Sequence, residues 1–276
     1  MAGDPTEGSD GASEVGTPLA GGLANAGAVH RRGVAVRRPA PPHAAAVHRY
    51  LLCLRDVGFH GSPAPRRLRT DEGWEELEFL HGEVAVPPYP AWSLTDEAMG
   101  GVGRLLRRYH GASAKVPVDA EVVTWPTDLA DPEGGSLLCH NDVCPENVVF
   151  RDGRATALID FDFAAPGRPV WDLAMTARYW APIMDPVSAD VSGRGHLDAA
   201  RRVQVIVDAY GLAADLRPGF ISVVQQVLQV ARSFVARRVD DSVPAFVAAF
   251  EAHGGWERWD RVDAWVAEHR AELTPD

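Results

Sequence analysis

Lysine is almost missing from this chain: of its 27 Lys and Arg residues a single one, Lys115, is lysine. Wherever its chemistry asks for a positive charge, a planar arginine fork must stand in for a compact ammonium. Cysteine is scarce too. Cys53, Cys139 and Cys144 show no framework spacing, which argues against a disulfide-stapled secreted fold and for a reducing cytoplasm. Cys139, His140 and Cys144 have no second ligand pair after them, so they do not make a zinc site. No apolar run approaches the ~20 residues of a membrane span. Residues 1–18 scatter Asp4, Glu7, Asp10 and Glu14 among Gly, Ser and Thr, unlike a secretory signal with its basic start and apolar core. They read as a disordered acidic tail. A cytoplasmic protein with no membrane partner is expected.

What is present is a divided charge. The net charge is −11, yet residues 30–69 hold nine arginines against the single acid Asp56. Phosphates suit the first part and cationic substrates the strongly acidic remainder. A nucleic-acid partner is not expected, because the arginine-rich stretch lacks interleaved aromatics and a helix-turn-helix pattern. With 276 residues, 46% of them hydrophobic, the chain can bury the core of one large domain or two lobes.

The densest chemical signal is the run from His140 to Phe163, HNDVCPENVVFRDGRATALIDFDF. Val148 to Phe150 and Thr156 to Ile159 are apolar strand runs joined through Arg151-Asp152-Gly153-Arg154, and Asp-Gly is the two-residue hairpin signal. Pairing across that turn sets Asn147 opposite Leu158 and brings Asp160 to the same face on the diagonal. An amide and a carboxylate so placed suit a hard cation such as Mg²⁺, which takes its remaining ligands from water and nucleotide phosphates. Asp142, five residues upstream, is placed to accept a proton from an attacking hydroxyl, in a chemistry governed by positioning and electrostatics.

The pattern H-x-D-x-x-x-x-N, followed by the Asp of I-D-F, resembles the catalytic and metal loops of aminoglycoside phosphotransferases and choline kinases. GRPVWDLA, ending at Ala174, adds to the likeness through Asp172. The resemblance implies an α+β, two-lobed, protein-kinase-like fold: a small antiparallel-sheet N-lobe, residues 19–82, and a mainly helical C-lobe, residues 83–276. It implies Asp142 as catalytic base, Asn147 and Asp160 as metal ligands, and His140, in the catalytic loop, as a brace together with Asp172. Mg²⁺ and ATP as co-substrate come with it. Asn141 stands where the family more often has glycine.

In the N-lobe, GGLANAGAVH from Gly21 has small residues that let backbone amides approach phosphates. It resembles the family's nucleotide loop, with Gly21, Gly22 and Asn25 as phosphate contacts. Gly33 to Arg37 reads as a strand, and its VAVR resembles the kinase V-A-I-K; the missing lysine assigns the phosphate role to Arg37, with Arg38 beside it. The helix His43 to Val57 has no Glu to complete the usual ion pair. A second hairpin, Arg66 to Arg69 and Trp74 to Phe79, leads into Leu80-His81-Gly82-Glu83, which resembles the interlobe hinge. There the Glu78 carbonyl and Leu80 amide are placed to meet adenine, with GTP left open.

In the C-lobe, Thr95 caps a helix whose stripe is Met99, Val102, Leu105, Leu106 and Tyr109, ending at Gly111. Helices are expected over 197–210, 218–238, 243–253 and 256–271. Asp185, Asp190, Asp240 and Asp241 are acids available to a cationic acceptor. Two functions follow. One is an ATP-dependent phosphotransferase acting on a hydroxyl of a small molecule, such as an aminoglycoside-like antibiotic. The other, motivated by the missing lysine and glutamate, is a catalytically silent nucleotide-binding protein serving as an immunity or regulatory factor. No A-P-E segment follows Asp160, which argues against a protein substrate.

Overall fold

A computed structural model describes residues 16–19, 27–118 and 124–276. Strands β1 (Thr17–Pro18), β2 (His30–Arg32) and β3 (Ala35–Pro39) come first, then helix α1 (Ala44–Asp56) and strands β4 (Pro65–Arg69) and β5 (Trp74–Glu78). They form one five-stranded sheet in the order β1-β2-β3-β5-β4, antiparallel at every pairing. Strand β3 begins two residues later than its sequence suggests. Helix α1 turns Val47, Tyr50, Leu51 and Leu54 inward, a one-sided apolar stripe that covers the sheet.

Helix α2 (Asp96–Ser113) begins as expected: the Thr95 hydroxyl accepts the N–H of Ala98 at 3.2 Å, and Asp96 and Glu97 occupy the first turn, where the helix dipole favours acids. Met99, Val102, Leu105, Leu106 and Tyr109 are all fully buried. The helix does not end at Gly111. It runs one further half-turn because Ala112 is buried and the Ser113 hydroxyl donates to Leu138 O while accepting from Tyr50 at 2.7 Å. Its glycines serve packing: a Cβ on Gly103 would stand 2.9 Å from the Ile206 carbonyl of the helix alongside.

Short strands follow: β6 (Leu137–Cys139), β7 (Val148–Arg151), β8 (Arg154–Leu158) and β9 (Ala165–Gly167), with β6 paired to β9 and β7 to β8. The rest is helical: α3 (Pro169–Trp180), α4 (Pro186–Val191), α5 (Ala199–Tyr210), α6 (Phe220–Asp240), α7 (Pro244–Ala252), α8 (Gly255–Glu268) and α9 (Arg270–Leu273). In α8, Trp259, Val262 and Val266 are buried, whereas Trp256 is exposed and packs on Phe250. The architecture is a two-lobed α+β fold, a small antiparallel sheet with its helix and a larger helical part. Among the described residues no helix is long and apolar enough to cross a membrane.

The core is most sensitive where α2 is completely enclosed. Leu105→Ala is expected to cost about 2–5 kcal/mol through lost burial and a residual cavity. A fall in the thermal midpoint of roughly 2–4 °C per kcal/mol, read by circular dichroism, checks this.

Candidate active site

The hairpin carrying two of the predicted site residues forms as its turn demands. Asp152 and Gly153 both take positive φ, 51° and 72°, the geometry of a two-residue hairpin turn, and Arg151 pairs with Arg154. The register then shifts. Phe150 pairs with Ala155 but Val149 with Ala157, leaving Thr156 as the extra residue of a β-bulge, its hydroxyl donating to the Val149 carbonyl at 3.0 Å. Val148 consequently faces Leu158, and the Ile159 N–H donates to the Asn147 carbonyl at 2.9 Å. Asn147 therefore lies opposite Ile159, not Leu158. Asp160 leaves the strand at φ 65°, a left-handed conformation that Asp tolerates better than most side chains.

Asp142 sits in the loop after β6. Its carboxylate accepts the Tyr179 hydroxyl at 2.8 Å and the Asn147 amide N–H at 2.9 Å. The same Asn147 nitrogen also donates to the Asp142 carbonyl at 2.9 Å, which leaves the Asn147 side-chain oxygen as the donor atom for a cation. Burial pushes the Asp142 carboxyl up to about 6; the Tyr179 hydroxyl bond pulls against it, and the nearby Asp160 charge pushes the same way as burial. Asp142 as a whole residue is half-buried. Such a group is ionised at neutral pH and more basic than a free aspartate, as a general base requires.

His140 braces this loop from behind. It is fully buried, its Nε2–H donating to the Ile159 carbonyl at 3.0 Å and its Nδ1 accepting the Asp142 N–H at 3.3 Å. Burial lowers its pKa, consistent with the neutral tautomer those bonds need. Asp172, also fully buried, accepts the N–H groups of His140 and Asn141 at 2.7 and 2.9 Å, and the His110 ring at 3.0 Å. Burial alone would raise its pKa, but the His110 bond and the neighbouring histidines hold it below the usual value. Asn141 adopts φ 64°, which explains how it stands where glycine is more usual.

The arginine that the fold turns inward is Arg38, not Arg37. Arg37 lies on the other face of β3, its guanidinium 3.7 Å over the Trp74 ring. Arg38 stands opposite Glu75 in the β3–β5 register and donates to that buried carboxylate at 2.7 Å. It then reaches Asp160 at 2.8 Å and Asp162 at 2.6 Å. The ion-pair partner missing from α1 is supplied by β5: Glu75 is fixed on its second oxygen by His48 of α1 at 2.7 Å. Burial would lower the Arg38 pKa, but Asp162, Asp160 and Glu75 together raise it. Glu75, His48 and Asp162 escaped the sequence reading, and Tyr179, which the sequence places just beyond the metal loop among acceptor-pocket residues, turns out to hold Asp142. The second acid of I-D-F-D and the Glu facing the arginine strand were the available signals.

Asn147, Asp160 and Asp162 offer only hard oxygen donors. Burial and the adjacent Asp160 charge push the Asp162 carboxyl up against the pull of Arg38, whose guanidinium stands as the cation between the two acids. Among the described residues no three His, Cys, Asp or Glu side chains group as a metal cage. Two carboxylates and an amide oxygen fit Mg²⁺, which keeps waters and phosphate oxygens as ligands, better than an ion needing an all-protein shell.

On the nucleotide side, Phe79 donates to the Val34 carbonyl at 2.9 Å as the chain leaves the sheet. Leu80 follows with no bond to its amide among the described residues. Glu78, just before, is tied to Ala64 through both its backbone N–H and its carboxylate. Glu83 and Phe150 exchange two backbone bonds at 2.8 and 2.7 Å, and Arg151 grips the His81 carbonyl at 2.8 Å. Gly82 is required there, since a Cβ would come within 2.4 Å of the Phe150 carbonyl. Gly21, Gly22 and Asn25 lie outside the described residues.

Residues 115–206 match the model of the phosphotransferase enzyme family. The chain is also 32% identical over 256 residues to the trifolitoxin immunity protein of Rhizobium leguminosarum bv. trifolii, covering 89% of this chain and 93% of that one. This chain belongs to the phosphotransferase enzyme family. Small-molecule kinases are among the relatives it matches. A homoserine kinase of Granulibacter bethesdensis is 27% identical over 64% of this phosphotransferase and 48% of its own length; the chain spans about half of that relative. A choline/ethanolamine kinase family protein from Mesorhizobium loti superposes with a TM-score of 0.64 at 18% identity, covering 96% of this phosphotransferase and 94% of that chain, which supports the shared fold.

With Asp142 as the expected base, its pKa of about 6 predicts turnover that falls as pH drops through 6. Tyr179→Phe removes the hydroxyl that lowers this pKa, so the acid limb of kcat/KM should move to higher pH, with a several-fold loss near pH 6 and little change at pH 8. A pH–rate profile of both proteins checks it; an unmoved acid limb removes the assignment.

Proposed function

We propose that this protein transfers the γ-phosphoryl group of ATP to a hydroxyl of a small molecule. The observation carrying this reading is the Asp142 carboxylate, oriented by Tyr179 and Asn147 and held at a pKa of about 6. Asp142 takes the hydroxyl proton as the acceptor oxygen bonds to the γ-phosphorus. The bond between that phosphorus and the bridging oxygen breaks, and its electron pair leaves with ADP. Asn147 and Asp160, with Asp162 beside them, would hold Mg²⁺, which offsets charge on the phosphates. Arg38, kept on Glu75, turns from Asp160 toward the phosphates, the role expected of Arg37. The Glu78 carbonyl and Leu80 amide receive the base, and Gly21, Gly22 and Asn25 cover the phosphates. For the acceptor, the names of the homoserine kinases argue for homoserine, and the likeness noted in the motifs argues for aminoglycosides.

A second reading is an immunity factor that acts by binding. Its support is the 32% identity to the trifolitoxin immunity protein together with the Arg38–Asp160 ion pair, which competes with a cation for Asp160.

A thermal-shift titration separates the two. Mg-ATP at about 100 times its Kd adds ~2.7 kcal/mol, or roughly 5–10 °C for a chain of this size. The kinase reading expects that shift to depend on Mg²⁺, to survive Asp142→Asn, and to be lost in Asp160→Ala. It also expects Asp142→Asn to cut turnover by about two orders of magnitude or more. No shift with ATP or GTP at millimolar concentration favours the binder; an unchanged rate in Asp142→Asn removes Asp142 as base.

A further inference from the structure

Beside Asp142, Arg178 and Arg194 meet around Tyr179, and Arg258 of α8 is close enough to feel both charges. Arg178 lays its guanidinium 4.1 Å over the Tyr179 ring, the ring whose hydroxyl holds Asp142. Arg194 donates to the Tyr179 carbonyl at 2.6 Å and lies 5.2 Å over the Tyr89 ring. Arg258, half-buried on α8, lies with its guanidinium 5.8 Å from the Trp259 ring. None of the three has a carboxylate within ion-pair distance among the described residues. The Arg178 Nε is buried with no hydrogen-bond partner at all.

The neighbouring acids are already committed. Glu146 accepts from Tyr89 at 3.4 Å. Asp185 caps α4 through Ser188 and faces Arg261 at 3.5 Å, so it is not free for a cationic acceptor as its place in the sequence suggests. Burial lowers the pKa of Arg258, and the charges of Arg178 and Arg194 lower it further. Half-buried guanidiniums crowded against one another carry a desolvation and repulsion cost that only an anion relieves. Planar forks of this kind match a carboxylate through charge-assisted, bidentate bonds.

We infer that the acceptor bears a carboxylate as well as its hydroxyl, the carboxylate docking on Arg178, Arg194 and Arg258 while the hydroxyl faces Asp142. This deepens the kinase reading and rests on it. It turns the acceptor preference away from polycationic aminoglycosides and toward hydroxy acids, hydroxy amino acids or hydroxyl-bearing peptides with a free C-terminus.

The test uses matched pairs on the full chain: L-homoserine against its carboxamide, and glycyl-serine against its C-terminal amide. Each is measured twice, by ADP release with Mg-ATP and by calorimetric titration with Mg-ADP present. The acid of at least one pair is expected to be favoured over its amide by about tenfold or more in kcat/KM and in affinity. Arg178→Gln and Arg194→Gln should erase that preference by raising the acid's KM, while the Mg-ATP thermal shift stays as in the parent. Should Arg178→Gln misfold, Arg258→Gln carries the same expectation. Acid and amide behaving alike, neither binding at tens of millimolar, or streptomycin preferred over every acid overturns the inference. Failure of the kinase reading is distinct: no ADP release and no Mg-ATP shift, whatever the calorimetry of the acids shows.

Discussion

The site depends on a buried carboxylate. Asp172, at the first turn of α3, is shielded from water and takes the backbone N–H groups of His140 and Asn141 on its two oxygens, with His110 of α2 completing the shell. An ionised acid in such a place is tolerable only because every bond it makes comes from a donor. In return it ties the catalytic loop to two helices of the larger part. His110 passes the constraint on through its other nitrogen to Tyr210 of α5 at 2.8 Å, and His140 passes it to Ile159, next to Asp160. Asp142 and Asp160, on separate loops, are thereby held by one network. Their spacing does not rely on the flexibility of either loop.

The smaller sheet is joined to that network by charge. Arg38 is nearly buried and bonds three carboxylates, Glu75 from its own sheet and Asp160 and Asp162 from the loop after β8. A fork with donors on three sides can do this, whereas an ammonium has a single centre. The near-absence of lysine therefore has a structural counterpart: the arginine both completes the sheet's ion pair and spans the cleft. His48 keeps Glu75 in place from α1, so the helix takes part in the pair without contributing an acid. Under the proposed function the same side chain would serve both the cation position between Asp160 and Asp162 and the phosphates, which would couple nucleotide binding to the relation between sheet and helices.

Charge also divides the site into two ends. The acids Asp160 and Asp162 suit a cation and its phosphates, and Arg178, Arg194 and Arg258, which form no ion pair among the described residues, suit an anion, with Asp142 between these influences. Arg178 lowers the Asp142 pKa while Asp160 raises it. Asp142 is thus tuned from both ends, and in the proposed reaction an anionic acceptor settling on the arginines would raise its basicity.

Local chemistry made much of this legible. The Thr95 cap, the buried stripe of α2, the Asp152-Gly153 turn and the run from His140 to Asp160 follow from spacing and side-chain type alone, because each depends on neighbours within a few residues. The choice of Arg38 over Arg37 was not legible. Strand alternation assigns the two to opposite faces, but only the register with β5 shows that Glu75 lies on the face of Arg38. The bulge at Thr156 was hidden for a similar reason: the turn predicts an unbroken ladder, and Phe150 is also engaged on its other side by Glu83. Tyr179 and the arginine cluster come from segments far from Asp142 in sequence. The sequence by itself determined the two-part fold and the run of acids, amide and histidine that this fold gathers around one hairpin. The tertiary structure alone decided which arginine enters the cleft and which charges lie without partners, since pairing across strands and helices is a property of packing that no local spacing encodes.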